Sequence, residues 1–192
     1  MNLFKVSMLA AVLAVSAALS GTASANVIGV KTIIIKQNAA AYSQPYLQVA
    51  EVIAVQAGTG LDVALASLGA TAVGSSNHPN SSAASAIDGS ISGVFPNIFH
   101  SAGGVNDMLT ITFASSFDLS GLTIFGRSDC CSGRDIYDVR FYDATGGLLF
   151  TQLGASANNS AHAVAVNVPE PGSLALLAGG LLVLAGMGRR RG

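Results

Sequence analysis

Short runs of alternating or β-branched apolar residues repeat along residues 26–168. A period of two places successive side chains on opposite faces, which is the pattern of a half-buried strand. A Gly-containing turn at residues 144–146 joins the fifth and sixth runs, and no long amphipathic helical pattern is present. The pattern predicts an all-β domain, a β-sandwich or jelly roll, with strands at 30–37, 46–56, 108–113, 122–127, 136–143, 147–153 and 161–168.

The N-terminus has the features of an export signal. Lys5 precedes an uncharged apolar run at 6–19, and Ala23-Ser24-Ala25 fits a small-residue cleavage site. The alternative, a transmembrane anchor, is disfavoured because the run is short and a cleavage site follows it. We predict a helical signal peptide at 1–25, a mature chain beginning near Asn26, and an oxidising destination.

The C-terminus carries a second apolar segment. Residues 174–187 are 14 apolar residues, about 21 Å as a helix against a hydrocarbon core of about 30 Å. Three arginines follow, which favour the cytoplasmic side. The order of Pro169-Glu170-Pro171, apolar helix and arginine cluster over 169–192 resembles the PEP-CTERM sorting signal of exopolysaccharide-producing Gram-negative bacteria.

That resemblance implies recognition by an exosortase, transient retention in the inner membrane as a transmembrane helix, and removal of the tail near the Pro-Glu-Pro motif. The alternative is an ordinary C-terminal anchor. The resemblance implies localisation to the cell envelope or extracellular matrix, and it does not imply an activity.

The net charge of residues 26–168 limits the classes of partner that they can bind. Residues 26–168 are long enough for one domain with a core of its own. They hold five basic residues against nine acidic ones, a net charge of −4. A body this acidic argues against a nucleic-acid or anionic-membrane surface.

Enzyme motifs are missing from the sequence. His78, His100 and His162 have no metal-binding spacing. The chain has no Gly-x-Ser-x-Gly elbow and no phosphate-binding Gly-x-x-x-x-Gly-Lys loop. We therefore expect a protein that is not an enzyme.

Both cysteines of the chain are adjacent, in "RSDCCSGR" (127–134). A Cys130–Cys131 disulfide closes almost no loop and so adds little stability, but it supplies a rigid apolar surface. We favour it over two independent thiols or a redox pair, which usually has Cys-x-x-Cys spacing. Arg127 and Arg134 bracket this surface and can donate to vicinal hydroxyls of a sugar, and Asp129 can brace one guanidinium. The alternative is a solvated surface with an Arg–Asp pair.

Three further strings carry a second resemblance: "ASAIDGS" (84–90), "IFHS" (98–101) and residues 113–150. Together they resemble the discoidin-like, coagulation-factor type C fold, and more narrowly the F-type lectins or fucolectins. The resemblance implies a discoidin-like jelly-roll β-sandwich. It also implies a carbohydrate site, with fucose as the preferred sugar type, formed by His100, Arg127, Asp129, Cys130, Cys131 and Arg134.

The same family often carries a structural calcium ion. Its loop resembles residues 85–90, which implies Asp88 with Ser85 and Ser90 as ligands and Glu51 as a second carboxylate. Glu51 lies in a strand that follows the lectin loop in the family and precedes it here, so the chain looks circularly permuted. The alternatives are an Asp-Gly turn at Asp88 and an exposed strand position at Glu51.

Three functions follow as hypotheses. The first is an exported carbohydrate-binding module associated with exopolysaccharide, with extracellular carbohydrate, exosortase and, briefly, the inner membrane as partners. The second is a structural matrix protein without a sugar ligand, and the third, which we favour least, is a hydrolase.

Overall fold

The computed structural model describes residues 26–38, 40, 46–156, 162–166 and 168. The predicted signal helix at 1–25 and the predicted sorting helix at 169–192 lie outside the described residues. Asn26–Val168 is one compact unit. The described residues form nine strands and no α-helix, which confirms the all-β prediction. They also form three short 3-10 helices, Ala66–Leu68, Ala83–Ile87 and Ser132–Arg134. The strands are β1 Val27–Gln37, β2 Gln48–Val49, β3 Glu51–Gln56, β4 Thr71–Gly74, β5 Phe99–His100, β6 Met108–Phe125, β7 Ile136–Tyr142, β8 Leu148–Ser156 and β9 Ala163–Val166.

Strand β6 organises the sheet. Its first half lies between β1 and β4, and its second half lies between β3 and β9. The prediction of two separate strands, at 108–113 and 122–127, was therefore wrong. The serine-rich connection between them stays extended, with residues 114–116 exposed and no proline to break it.

The alternation in β1 sets the register of the central strands. Ile33 and Ile35 are fully buried, whereas Ile34 between them is only half-buried. Ile35 lies opposite Leu109 of β6 and Val139 of β7, so apolar side chains meet on one face of all three strands. A one-residue slip would turn this whole set away from the core. The β7–β8 hairpin continues the sheet beyond β1.

The two halves of β6 share one hydrophobic core. Leu109 and Ile111 from the first half pack in the same buried cluster as Leu122 and Ile124 from the second half. Tyr137 is among the largest fully buried side chains of the cluster. Each buried aliphatic or aromatic side chain contributes about 1.5–3 kcal/mol relative to exposure, so this cluster holds both halves of the sheet together.

The chain changes partner at Ala50. Residues 46–56 were predicted as one strand, but β2 pairs with β5, while β3 pairs with β6. At this switch, the Ala50 N–H donates to the carbonyl of Phe125, the last residue of β6, at 2.7 Å. Consequently β2, β5 and the loop that leaves β6 gather at the same end of the domain.

A buried polar cluster anchors that loop. The Nδ1 atom of His162 lies 2.8 Å from a carboxylate oxygen of Asp135, which is only 2% exposed. The Gly126 N–H donates to the His162 carbonyl at 2.8 Å, and a Cβ added at Gly126 would overlap the Asp135 carboxylate. Glycine at 126 therefore leaves room for the Asp135–His162 pair beside the strand end.

This packing predicts that Gly126→Ala is destabilising, because Asp135 must leave its buried position to admit a methyl group. We expect the free energy of unfolding to fall by about 2 kcal/mol or more. Gly121→Ala is the matched control, since a Cβ there meets no atom within 4 Å, and it should stay within about 1 kcal/mol of wild type. Denaturant unfolding of both variants measures the difference; equal effects would contradict the overlap argument.

Candidate functional site

The loop between β6 and β7 brings the two predicted arginines back to the same place. Arg127 follows the end of β6, and Arg134 ends the 3-10 helix Ser132–Arg134. The Arg134 N–H donates to the Cys131 carbonyl at 2.9 Å, and Cys131 has a φ of 67°. This tight left-handed turn reverses the chain, so both arginines start from neighbouring points.

Cys130 and Cys131 are joined by a disulfide in the structure, with Cα atoms 3.8 Å apart. The pair occupies the middle of the loop between the two arginines. Because neighbouring residues are linked, the bond makes this part of the loop rigid without connecting distant parts of the chain.

The side chain of Gln48 is the point on which the predicted cationic residues converge. Its amide is assigned with Oε1 toward them, because the opposite orientation would place its NH2 group against N–H donors. Oε1 then accepts from Arg134 Nη1 at 3.2 Å, from Arg127 Nη1 at 3.3 Å and from His100 Nε2 at 2.7 Å. The structure thus brings His100, Arg127 and Arg134 together.

Asp129 braces Arg127, as predicted from the spacing. Arg127 Nε donates to Asp129 Oδ1 at 2.5 Å, and Nη2 donates to Oδ2 at 3.1 Å. The hydrogen bond from Arg127 holds the pKa of the Asp129 carboxyl below its usual range. Asp129 and Gln48 engage three of the five N–H bonds of Arg127; the other two bond to neither residue.

Aromatic rings flank both guanidinium groups. Arg127 lies over the ring of Phe95, 5.1 Å from its centroid, and Arg134 lies over Tyr46 at 5.3 Å. The His78 ring stands 5.3 Å from that of Phe95 and 5.1 Å from that of His100. Cation–π contacts of this kind hold an arginine while leaving its N–H bonds directed sideways.

His100 is nearly buried and lies at the centre of this group. Its Nδ1 atom is 2.6 Å from the Ser101 carbonyl oxygen. Burial lowers the pKa of His100, and His78, Arg127 and Arg134 lower it further, whereas the Ser101 carbonyl opposes this effect. The site therefore presents guanidinium N–H groups, which can donate charge-assisted hydrogen bonds to ligand oxygens, whereas both ring nitrogens of His100 face protein oxygens.

Four residues of the site were not predicted: Gln48, Tyr46, Phe95 and His78. The partial sequence signal for Gln48 was its position in the otherwise apolar strand that also contains Glu51. Nothing in the spacing indicated that β2 would pair with β5 and place Gln48 opposite His100.

The predicted calcium residues gather at a second place. Glu51 is only 1% exposed, so it is not a solvated strand position. Its Oε2 accepts from the Gly89 N–H at 2.9 Å, and Asp88 Oδ1 accepts from the Ser90 N–H at 2.8 Å. Ser85 lies in the 3-10 helix Ala83–Ile87. The described residues contain no group of three or more His, Cys, Asp or Glu side chains placed to hold a metal ion.

The second oxygen of Glu51, Oε1, is buried and makes no hydrogen bond to the described residues. Burial raises the pKa of Glu51 to about 7. The Gly89 N–H opposes this shift, and the negative charges of Asp88 and Asp62 add to it. A buried carboxylate with one unsatisfied oxygen is stabilised either by a proton or by a cation.

Comparison with known proteins identifies the C-terminal segment. Residues 167–191 match the PEP-CTERM protein-sorting motif. The motif indicates exosortase-dependent export to the cell envelope or extracellular space of a bacterium, with recognition by an exosortase at the C-terminus. No curated protein and no solved structure matches the chain. Within the described residues, none of the helices has the length and apolar character needed to span a membrane.

The buried Glu51 predicts a pH-dependent stability when divalent cations are removed by chelator. Its folded-state pKa of about 7 lies above the unfolded value of 4.5. The stability it confers is therefore complete below pH 4.5 and is lost as the pH rises through about 7. The loss is on the order of 3 kcal/mol. Glu51→Gln, which cannot ionise, should remove this slope and be more stable than wild type at pH 8.

Thermal melting from pH 5 to pH 8 measures the slope. Asp118→Asn is the control, because Asp118 is exposed and is not among the groups that shift the pKa of Glu51. A Glu51→Gln variant that keeps the wild-type slope would contradict the assignment.

Proposed function

We propose that residues 26–168 are a non-catalytic carbohydrate-binding module with a circularly permuted discoidin-like, F-type-lectin jelly roll. The observation that supports this most directly is the convergence of Arg127, Arg134 and His100 on one oxygen beside the Cys130–Cys131 disulfide. The fold supports it too, since the two halves of the sheet share one core. In addition, β3, near the start of the domain, and β9, the last strand, both pair with the second half of β6, so segments from the two ends of the domain lie close together.

The ligand of this proposal is a sugar with vicinal hydroxyls, of the fucose type. The guanidinium groups donate to adjacent hydroxyl oxygens, and His100 lines the site from the neighbouring β5. The disulfide offers an apolar surface to the C–H face of the ring. Because Asp129 and the aromatic rings already hold the arginines, little side-chain freedom is lost on binding.

The export and sorting signals determine the cellular location of this module. With exosortase-dependent sorting, the domain reaches the envelope or extracellular matrix of a Gram-negative bacterium, where exopolysaccharide supplies repeated sugar units. Several weak sites on many copies would then attach through multivalent contact.

A calcium ion held by Glu51 and Asp88 belongs to the same proposal. The unsatisfied Oε1 of Glu51 and the nearby Asp88 fit a cation. Calcium takes roughly six to eight oxygen ligands, many of them carbonyls and waters, so Ser85, Ser90 and backbone carbonyls of the 85–90 loop would complete the shell. When bound, the ion would neutralise the buried carboxylate and fix the loop beside β3.

Calcium binding to the folded state predicts a higher melting temperature. A hundredfold excess over Kd stabilises by about 2.7 kcal/mol. Added calcium at pH 7.5 should raise the melting temperature of wild type and leave Asp88→Ala and Glu51→Gln unchanged, as differential scanning calorimetry would show. No calcium effect on wild type would remove the ion from the proposal.

The sugar site predicts that Arg127→Ala or Arg134→Ala abolishes most binding. Each loses charge-assisted hydrogen bonds of about 1.5–3 kcal/mol, which is roughly a ten- to hundredfold loss of affinity. Neither change should unfold the domain, because neither arginine belongs to the hydrophobic core. Glycan-array screening followed by isothermal titration with the selected sugar measures the loss.

Arg140→Ala is the matched control, since Arg140 lies on β7, and it should bind normally. If wild type binds no glycan, or both arginine variants bind as wild type does, the structural matrix protein takes the place of the lectin. Release of shorter sugars from a bound glycan would instead indicate a hydrolase.

A further inference from the structure

Gln48 lies beneath the proposed sugar site, and no motif of the sequence indicates a role for it. We propose that Gln48 is the positioning residue of this site: its amide oxygen holds Arg127, Arg134 and His100 in the geometry that binds the ligand. This inference rests on the proposed function, since it assigns the residue that organises the same site.

The backbone of Gln48 is held on two sides. Gln48 pairs with His100 across the β2–β5 ladder. Next to this pair, the Leu47 N–H donates to the Ser101 hydroxyl and the Ser101 N–H donates to the Leu47 carbonyl, both at 2.9 Å. On the other side, the buried Tyr137 hydroxyl donates to the Gln48 carbonyl at 2.8 Å. A side chain on such a backbone has few alternative positions.

The side chain of Gln48 is correspondingly buried, with 1% of its surface exposed. A buried amide oxygen must accept hydrogen bonds to offset its loss of water. The donors available are the Arg127 and Arg134 guanidiniums and the His100 imidazole. The amide is therefore satisfied only while all these groups lie in their observed places, and it holds them there in return.

Charge explains why an acceptor is needed at this point. The two guanidiniums lie 3.2 and 3.3 Å from the same oxygen, Gln48 Oε1, so their two positive charges are close together and repel each other. A shared acceptor offsets this repulsion. The amide oxygen supplies this acceptor without a charge of its own, and a carboxylate would supply an acceptor with a charge.

Gln48 acts through these groups and does not contact the ligand. An amide oxygen has two lone pairs, and three donors already converge on it. The positioning role is thus distinct from the ligand-binding role proposed for Arg127 and Arg134.

The protonation of His100 reports on this arrangement. Its Nδ1 faces the Ser101 carbonyl and its Nε2 faces Gln48 Oε1, so both bonds form together only when the ring is a doubly protonated imidazolium. Burial opposes this charge most, and His78, Arg127 and Arg134 oppose it as well, while the uncharged rings of Tyr46 and Phe95 also pack against His100. The acceptor at position 48 therefore supports the protonated form.

Gln48→Leu and Gln48→Glu test the role in opposite directions. Leucine keeps an apolar side chain of similar size and removes the acceptor, so affinity for fucose should fall by about tenfold or more. Glutamate restores an acceptor, so its affinity should stay within about threefold of wild type. Gln56→Leu is the matched control, an amide on β3 whose Oε1 accepts only from Thr59 among the described contacts, and it should bind normally.

Nuclear magnetic resonance titration of the His100 ring supplies a readout that needs no sugar. The His100 pKa should fall in Gln48→Leu and rise in Gln48→Glu relative to wild type. If the leucine variant fails to fold, the rise in the glutamate variant decides. Should wild type bind no sugar while these pKa shifts occur, the proposed function fails and the organising role of Gln48 stands.

Three results would overturn the inference. They are wild-type affinity in Gln48→Leu, equal losses of affinity in the leucine and glutamate variants, and a His100 pKa that is the same in all three proteins.

Discussion

The pairing of β6 along both of its halves is the constraint on which the rest of the domain depends. One half provides edges for β1 and β4, and the other provides edges for β3 and β9. Because the backbone stays extended through residues 114–116, the two halves are parts of one hydrogen-bonded strand and yet contribute to one core. Any break in this strand would separate the core into two smaller parts, each with less apolar surface to offset the entropy of folding.

The end of β6 also determines the position of the proposed binding site. Strand β6 ends at Phe125, whose carbonyl accepts a hydrogen bond from the Ala50 N–H, and the chain continues into the loop that contains the disulfide. The partner switch at Ala50 frees β2 to pair with β5. Residues from three distant parts of the chain, near 48, 100 and 130, meet there for reasons of backbone hydrogen bonding alone. Loops positioned by a rigid sheet are where binding sites commonly form.

Two polar side chains of one short segment are buried for different reasons. Gln48 and Glu51 are each about 1% exposed, although neither is an apolar residue. Gln48 is surrounded by donors and is satisfied by them. Glu51 has one satisfied oxygen and one without a hydrogen bond to the described residues. Burial of an incompletely paired carboxylate costs stability, and either a proton or a cation offsets that cost. The proposed calcium site and the residue proposed to position the sugar site thus come from the same short segment.

The sequence by itself determined the all-β class, most strand positions and the sorting motif, since each depends on local periodicity or on a short string of residues. It also placed Arg127, Asp129 and Arg134 around adjacent cysteines, because eight consecutive residues contain them. It did not determine that 108–125 is one strand, since a serine-rich stretch is compatible with either a turn or an extended backbone. Nor did it indicate Gln48, Tyr46 or Phe95. Their roles come from the β2–β5 pairing, a contact between residues about 50 positions apart, and only the packed tertiary structure decides which distant polar groups share a buried acceptor.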